Sequence, residues 1–278
     1  MISLVMATYG RGPEARDCLA SLVRQEFRDF EVVVVDQNPG PLFGAVLDEF
    51  RDQLPHVRYL RTDRPGISRA RNLGLREASG SVVAFPDDDC QYPSDLLGRV
   101  WDYFHTHRDL DGLTGLAADF SGRPFRGYDR TAGWLNMDNL WYRSISITIF
   151  LRKALVDRVG EFDEDLGAGA KFGSAEETDY ILRSVKAGGR IFFDPAFTVL
   201  HAEPLANDPR VLIPRGYTYG LGLGYILRKH RIGFWRSLKW FLRPLGGIAV
   251  RLVQGNPDHA RYYYSVLRGR IKGWLSPR

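Results

Sequence analysis

Residues 81–90, SVVAFPDDDC, decide how this chain is read. Ser81–Phe85 has the composition of a buried strand, and it runs straight into three carboxylates, Asp87, Asp88 and Asp89. Two like charges ~4 Å apart repel by roughly 4 kcal/mol at an effective dielectric near 20. The triplet therefore calls for water, backbone donors or a cation. Outward from it, apolar β-branched runs alternate with helical periodicity. Ile2–Ala7 reads as a strand, Pro13–Glu26 as a helix, and Glu31–Asp36 (EVVVVD) as a strand buried on both faces. Phe43–Arg51 follows as a weaker helix, Val57–Arg61 as a strand and Ile67–Ala78 as a helix. Such alternation predicts an α/β, mostly parallel sheet covered by helices, of Rossmann-like type. In sheets of that kind ligands bind beyond the carboxyl ends of the strands. The ends here, ATYGRG, DQNPG and PDDDC, are polar or glycine-bearing, so the chemistry is expected at that edge.

The remainder is less regular. Residues 110–172 are rich in Gly, Asp and aromatics, with a strand expected at Ser144–Phe150 and a short helix at Arg152–Val159. A helix is expected at Glu176–Ala187, stopped by Gly188 and Gly189, and two strands at Arg190–Phe193 and Thr198–Leu200. Trp134 and Trp141, in the irregular stretch, suit either sugar stacking or a core.

Composition sets the outer bounds. The chain has 278 residues, 44% hydrophobic and 26% charged, ordinary values for a globular protein able to bury a full core. Cys18 and Cys90 are too few for a disulfide framework and lack metal-ligand spacing, which suits a reducing compartment. MISLVMATYGRG lacks the basic start and long apolar core of a signal peptide, and no stretch reaches the ~18–20 apolar residues of a spanning helix. The expected location is cytoplasmic, peripheral to the inner face of the membrane. The net charge of +5 conceals a division: residues 205–278 carry 14 Lys and Arg against Asp208 and Asp258 alone, while the first 204 residues are net acidic. Residues 1–204 are read as a catalytic domain and 205–278 as a basic, aromatic helical extension.

Taken alone, the aspartates suit a solvated turn capping the helix that begins near Pro93. Their position at a strand end favours a hard divalent cation, Mn²⁺ or Mg²⁺, bridging to a phosphorylated ligand. Upstream, RPGISRARNLG (64–74) places Arg69 and Arg71 on a helix opened by Pro65 and Gly66, suited to a diphosphate or to a plain solvated face. In GSAEETDYILR (173–183), Ser174 and Glu177 have capping-box spacing. A carboxylate there, held ionised at a helix N-terminus, also suits a general base. His201, after the last strand, suits a structural role or a place in the shell of the cation.

The ordered set VMATYGR, FEVVVVDQN, GISRARNLGL, VAFPDDDCQYP, DRVGEFDEDLGAG and SAEETDYILRSVKAGGRIFFDPAFTVLH resembles a bacterial family 2 glycosyltransferase with the GT-A fold over roughly residues 1–204. The resemblance implies an inverting, metal-dependent transferase. Its donor would be a nucleotide-diphosphate sugar and its acceptor a glycan or lipid-linked glycan of polysaccharide biosynthesis. Thr8 and Tyr9, with Asp36 and Gln37, would lie at the nucleoside. Asp87, Asp88 and Asp89 would form the DxD region for ribose and metal, with His201 as the late metal contact. Glu177 would be the general base with Glu176 its rival, and Arg69 and Arg71 would face the diphosphate. Gln37 stands where many members carry an acid, so UDP is implied first while dTDP and GDP stay open. Glu177 stands where Asp is usual.

For the extension, packing on the catalytic domain and binding to nucleic acid are weighed against an anionic membrane surface. The membrane is preferred, with no nucleic-acid partner expected. Phe234, Trp235, Leu238, Phe241, Leu242 and Leu245 share one helical face, Arg236, Lys239 and Arg243 another, and Pro244 is expected to end or kink the helix. Two rival functions remain. A sugar-nucleotide nucleotidyltransferase would carry a glycine-rich phosphate loop, which ATYGRGPEA matches poorly. An inactive scaffold of the same fold would not need the full acidic set.

Overall fold

The structure, a computed structural model, describes residues 1–202 and 208–277. The chain packs as two compact units, Met1–Phe162 with Glu177–Glu203, and Asp163–Glu176 with Pro204–Arg278.

The first unit begins with β1 (Ile2–Thr8), a short 3₁₀ turn and α1 (Arg16–Val23). It continues through β2 (Phe30–Asp36), α2 (Leu42–Asp48), β3 (Val57–Arg61), α3 (Ile67–Glu77) and β4 (Val82–Ala84). β3, β2, β1 and β4 lie side by side and parallel. Every residue of β2 is buried, as a both-faces-covered Val run requires. The register Ile2↔Phe30 through Thr8↔Asp36 brings the ends of β1 and β2 level. α3 lies close on this sheet because Gly74 has no side chain: a Cβ there would stand 2.5 Å from Val5 Cγ1.

Beyond β4 come β5 (Cys90–Gln91), α4 (Leu96–Thr106), β6 (Gly112–Ala118), β7 (Gly133–Trp134), β8 (Ile149–Arg152) and α5 (Lys153–Val159). α6 (Glu176–Lys186) and β9 (Ile191–His201) follow. The sheet order is β3-β2-β1-β4-β8-β6-β9-β5, with β7 also on β9. β8 runs antiparallel between β4 and β6, whereas β6 and β9 are parallel. Three expectations change here. Residues 146–148 of the anticipated Ser144–Phe150 strand form a 3₁₀ turn, and pairing starts only at Ile149. The two strands expected at 190–193 and 198–200 are one, with the register against β6 shifting between Thr114 and Leu116. The irregular stretch hides β6, whose sequence GLTGLAA is wholly buried but carries too few large or β-branched residues to read as a strand.

In the second unit, α7 (Pro209–Lys229), α8 (Phe234–Val253) and α9 (Pro257–Leu275) follow one another. α7 and α9 touch backbone to backbone. A Cβ on Gly220 or Gly224 would collide with the carbonyls of Val266 and Arg270, and one on Gly269 or Gly273 with those of Tyr217 and Leu221. Small residues every fourth position allow that approach. α8 does not end at Pro244 but runs on to Val253. A proline leaves the carbonyl four residues earlier without its amide donor. Here that carbonyl belongs to Trp240, and the Arg270 guanidinium donates to it from α9.

Candidate active site

Three strand ends converge on the acidic triplet. Past β4 the chain stays beside β1, with a bridge between Ala7 and Asp87. The Thr8 hydroxyl donates to Asp88 Oδ2 at 2.6 Å. Arg11, in the turn after β1, donates to Asp89 Oδ2 at 2.5 Å and lies 3.6 Å from Asp88 Oδ1. The antiparallel register Cys90↔His201 then explains why a histidine 112 positions away reaches the triplet. His201 Nε2 is 3.0 Å from Asp89 Oδ1, and its Nδ1 lies 2.6 Å from the carbonyl of Ala202. One ligand atom from each of Asp87, Asp89 and His201 falls within 4.8 Å of the others.

Two carboxylates and an imidazole are a donor set for a divalent cation such as Mn²⁺ or Mg²⁺. The His201 geometry fits as well: with a cation on Nε2 the ring proton would rest on Nδ1, which lies within hydrogen-bond distance of a backbone carbonyl that can accept it. With no cation between them, these groups pair with one another and with Arg11. Burial pushes the Asp88 carboxyl up to about 6, against the Thr8 hydrogen bond. The hydrogen bond with His201 holds Asp89 below the usual carboxylate range, although burial opposes it. Burial would lower the His201 pKa, but the Asp89 hydrogen bond and charge outweigh it and raise the pKa above the ordinary value.

Arg71 is 1% exposed. Its guanidinium donates to Asp87 Oδ1 at 3.0 Å and lies over the faces of Phe85 and Phe162. Tyr180 of α6 stacks on Phe162 with centroids 4.1 Å apart and meets Phe85 edge-on. Glu177 lies three residues before Tyr180 on the same helix face, so this aromatic packing brings the start of α6 toward the end of β4. Only Glu177 of the acidic pair belongs to the first unit; Glu176, 8% exposed, belongs to the second. The capping box does not form as spaced. Ala175 has φ +71°, so it cannot be the first helical residue, and the Ser174 hydroxyl donates instead to the Thr218 carbonyl.

The nucleoside-side candidates split. Asp36 is fully buried and committed: Oδ1 accepts from the Asn38 backbone and side chain, and Oδ2 from Tyr59 at 2.6 Å. Gln37 donates to the Thr8 carbonyl and accepts from Gly66 N at 2.7 Å, tying β1 to the loop before α3. Thr8 faces inward, Tyr9 is 60% exposed, and Arg69 sits on the first turn of α3. Sequence reasoning missed Arg11, Asn38 and Tyr59. Arg11 was in view in ATYGRG, but nothing in the linear pattern tied it to a carboxylate 78 residues on.

A mostly parallel sheet carrying an Asp-x-Asp pair and a distant histidine at its carboxyl edge has the build of a GT-A glycosyltransferase. The chain belongs to glycosyl transferase family 2, whose sequence profile matches residues 3–157. It is 26% identical to glycosyltransferase AglE of Haloferax volcanii over 271 residues, 95% of this chain and 84% of that protein. Matches to other curated relatives are shorter, spanning 14%, 29% and 27% of the lengths of three of them. Among solved structures, the chain superposes on S. aureus TarS 1-349 in complex with UDP-GlcNAc with TM-score 0.61 at 18% identity, covering 96% of this chain and 92% of that one. It also superposes on mannosyltransferase PcManGT from Pyrobaculum calidifontis in complex with GDP-Man and Mn²⁺, with TM-score 0.66 at 16% identity, covering 99% and 87%. These structural likenesses establish the fold.

Proposed function

We propose that this protein transfers a sugar from a nucleotide-diphosphate sugar to a hydroxyl of a glycan or lipid-linked glycan, with inversion at the anomeric carbon, at an anionic membrane surface. The observation that carries the reading is the convergence of Asp87, Asp89 and His201 at the carboxyl edge of the sheet. These three residues would hold Mn²⁺ or Mg²⁺, which when bound supplies positive charge to the diphosphate leaving group. Arg71, buried and bonded to Asp87, fixes the direction of that carboxylate. Thr8 does the same for Asp88. Glu177 takes the proton from the acceptor hydroxyl as that oxygen attacks the anomeric carbon and the nucleotide diphosphate departs from the opposite side. A helix N-terminus favours the ionised form that a base requires. Gln37, occupied by Thr8 and Gly66, shapes the nucleoside side through the backbone it holds. UDP is the first donor to test, with dTDP and GDP beside it.

Calorimetric titration of UDP-, dTDP- and GDP-sugars, with Mn²⁺ and with chelator, tests this. One nucleotide series should bind only with the cation, and Asp89→Asn should abolish it. Absence of binding by every nucleotide in both conditions would remove the transferase reading.

A further inference from the structure

α8 is built inside out. Its buried positions are Ser237, Trp240 and Pro244, a stripe held against α9 by Arg270, which donates to the Trp240 carbonyl, and by Tyr263 beneath Gly247. Six of its large apolar residues point the other way: Phe234, Trp235, Leu242, Leu245, Leu252 and Val253 are all exposed, Trp235 by 79% and Val253 by 90%. At 3.6 residues per turn these six positions fall within an arc of about 100°. Arg236, Lys239 and Arg243 occupy the adjoining arc, and the helix contains no acidic residue. A soluble helix normally turns its aromatic and leucine side chains inward. Exposed side by side, such residues mark a surface that meets something apolar.

The charge pattern selects the occupant. A contiguous apolar face beside a flank that holds Arg236, Lys239, Arg243 and the exposed Val250 but no acid matches the boundary between acyl chains and anionic headgroups. Among the described residues no helix is long and apolar enough to cross a membrane, so α8 would lie along that boundary. We propose that the outward face of α8 is the docking surface for an anionic bilayer. Phe234, Trp235, Leu242 and Leu245 enter the interface, and Arg236, Lys239 and Arg243 meet the phosphate groups. This deepens the membrane part of the function proposed above and assigns it to one helix face; the transfer chemistry does not depend on it.

The test is vesicle flotation of the full chain. Phosphatidylcholine vesicles containing about one third phosphatidylglycerol should carry the protein at low salt, and pure phosphatidylcholine should carry it far less. Trp235→Ser with Leu242→Ser should weaken partitioning at least about tenfold at low and high salt alike. Arg236→Gln with Lys239→Gln should weaken it about fivefold per residue at low salt and little at high salt. Because Trp235, Arg236 and Leu242 are exposed and Lys239 is half-buried over the Trp240 ring, circular dichroism and nucleotide binding should match the wild type, which separates failure here from failure of the donor site. Brominated lipid should quench wild-type tryptophan fluorescence more than that of Trp235→Phe. Two results overturn the proposal. One is equal flotation of the wild type and the Ser double variant. The other is sedimentation of the wild type as a dimer that the Ser variant converts to a monomer without any change in flotation, which would make the face a contact between copies.

Discussion

Arg11 fills the role of a counter-ion that a metal would take over, and its removal has a calculable effect. Its guanidinium is 2.5 Å from Asp89 and 3.6 Å from Asp88. With charge centres about 4 Å apart, each pair is worth at most ~4 kcal/mol at an effective dielectric near 20. The Arg11 side chain is 40% exposed, so water screens these pairs into the surface range of ~0.2–1 kcal/mol each. Taking both, Arg11→Gln leaves the cluster more negative by an interaction of about 1 kcal/mol, or roughly fivefold in a binding constant. The prediction is therefore a gain: in the absence of nucleotide, Arg11→Gln binds Mn²⁺ about fivefold more tightly than the wild type. Titration followed by the electron paramagnetic resonance of free Mn²⁺ reads this directly. Unchanged or weaker Mn²⁺ binding in the variant would refute the placement of the cation among Asp87, Asp89 and His201.

Three further outcomes follow from other parts of the molecule. Glu177→Gln should lower kcat by about 100-fold or more while nucleotide affinity stays within about twofold, and Glu176→Gln should do much less; a larger loss in Glu176→Gln would exchange the roles. Glu31 is buried and accepts from Ser3 at 2.6 Å and from Ser79 N and Oγ at 2.7 and 2.8 Å. Burial would raise its pKa, but these bonds with the Arg58 charge overcome it and hold the carboxyl below its ordinary value. Its contribution is thus present above the ordinary glutamate value and lost as the pH falls through the lower folded one. In urea melts Glu31→Gln should cost ~1–2 kcal/mol at pH 7 and progressively less in acid; a pH-independent difference would count against the account. Gly220→Leu would drive a side chain into the α9 backbone near Val266 and Arg270, a cost of ~2–3 kcal/mol or more. Hydrogen exchange should quicken in α7 and α9 and stay unchanged in β1 and β2.

The parallel half of the sheet was legible because its strands are continuous apolar runs ended by Gly, Pro or Asp. Val57–Arg61 was placed to the residue. β6 was not, since a buried strand of Gly, Ala and Leu has no period to detect. Pro244 does not end α8 for a different reason: the donor replacing its missing amide, Arg270, comes from another helix, and a local rule cannot see it. The same limit governed the site. Asp87, Asp89 and His201 were named from residue type and position, but the bond that joins Asp89 to His201 depends on the β5–β9 register, which is set by the whole sheet. Arg11 stayed hidden because an arginine in a turn is ordinarily a solvated charge. α8 was visible as amphipathic, yet the outward direction of its apolar face became apparent only when Ser237, Trp240 and Pro244 proved to be the buried stripe.

Asp87, Asp89 and His201 are proposed to hold a divalent cation at the end of the sheet. Crystals grown with Mn²⁺ and a nucleotide diphosphate, with data collected at the manganese absorption edge, test it most directly. One anomalous peak is expected at coordination distance, about 2.0–2.3 Å, from a carboxylate oxygen of Asp89 and from His201 Nε2, with Arg11 displaced from Asp89. Nucleotide bound with no anomalous peak there, and the Asp89–His201 and Asp89–Arg11 contacts intact, would contradict it.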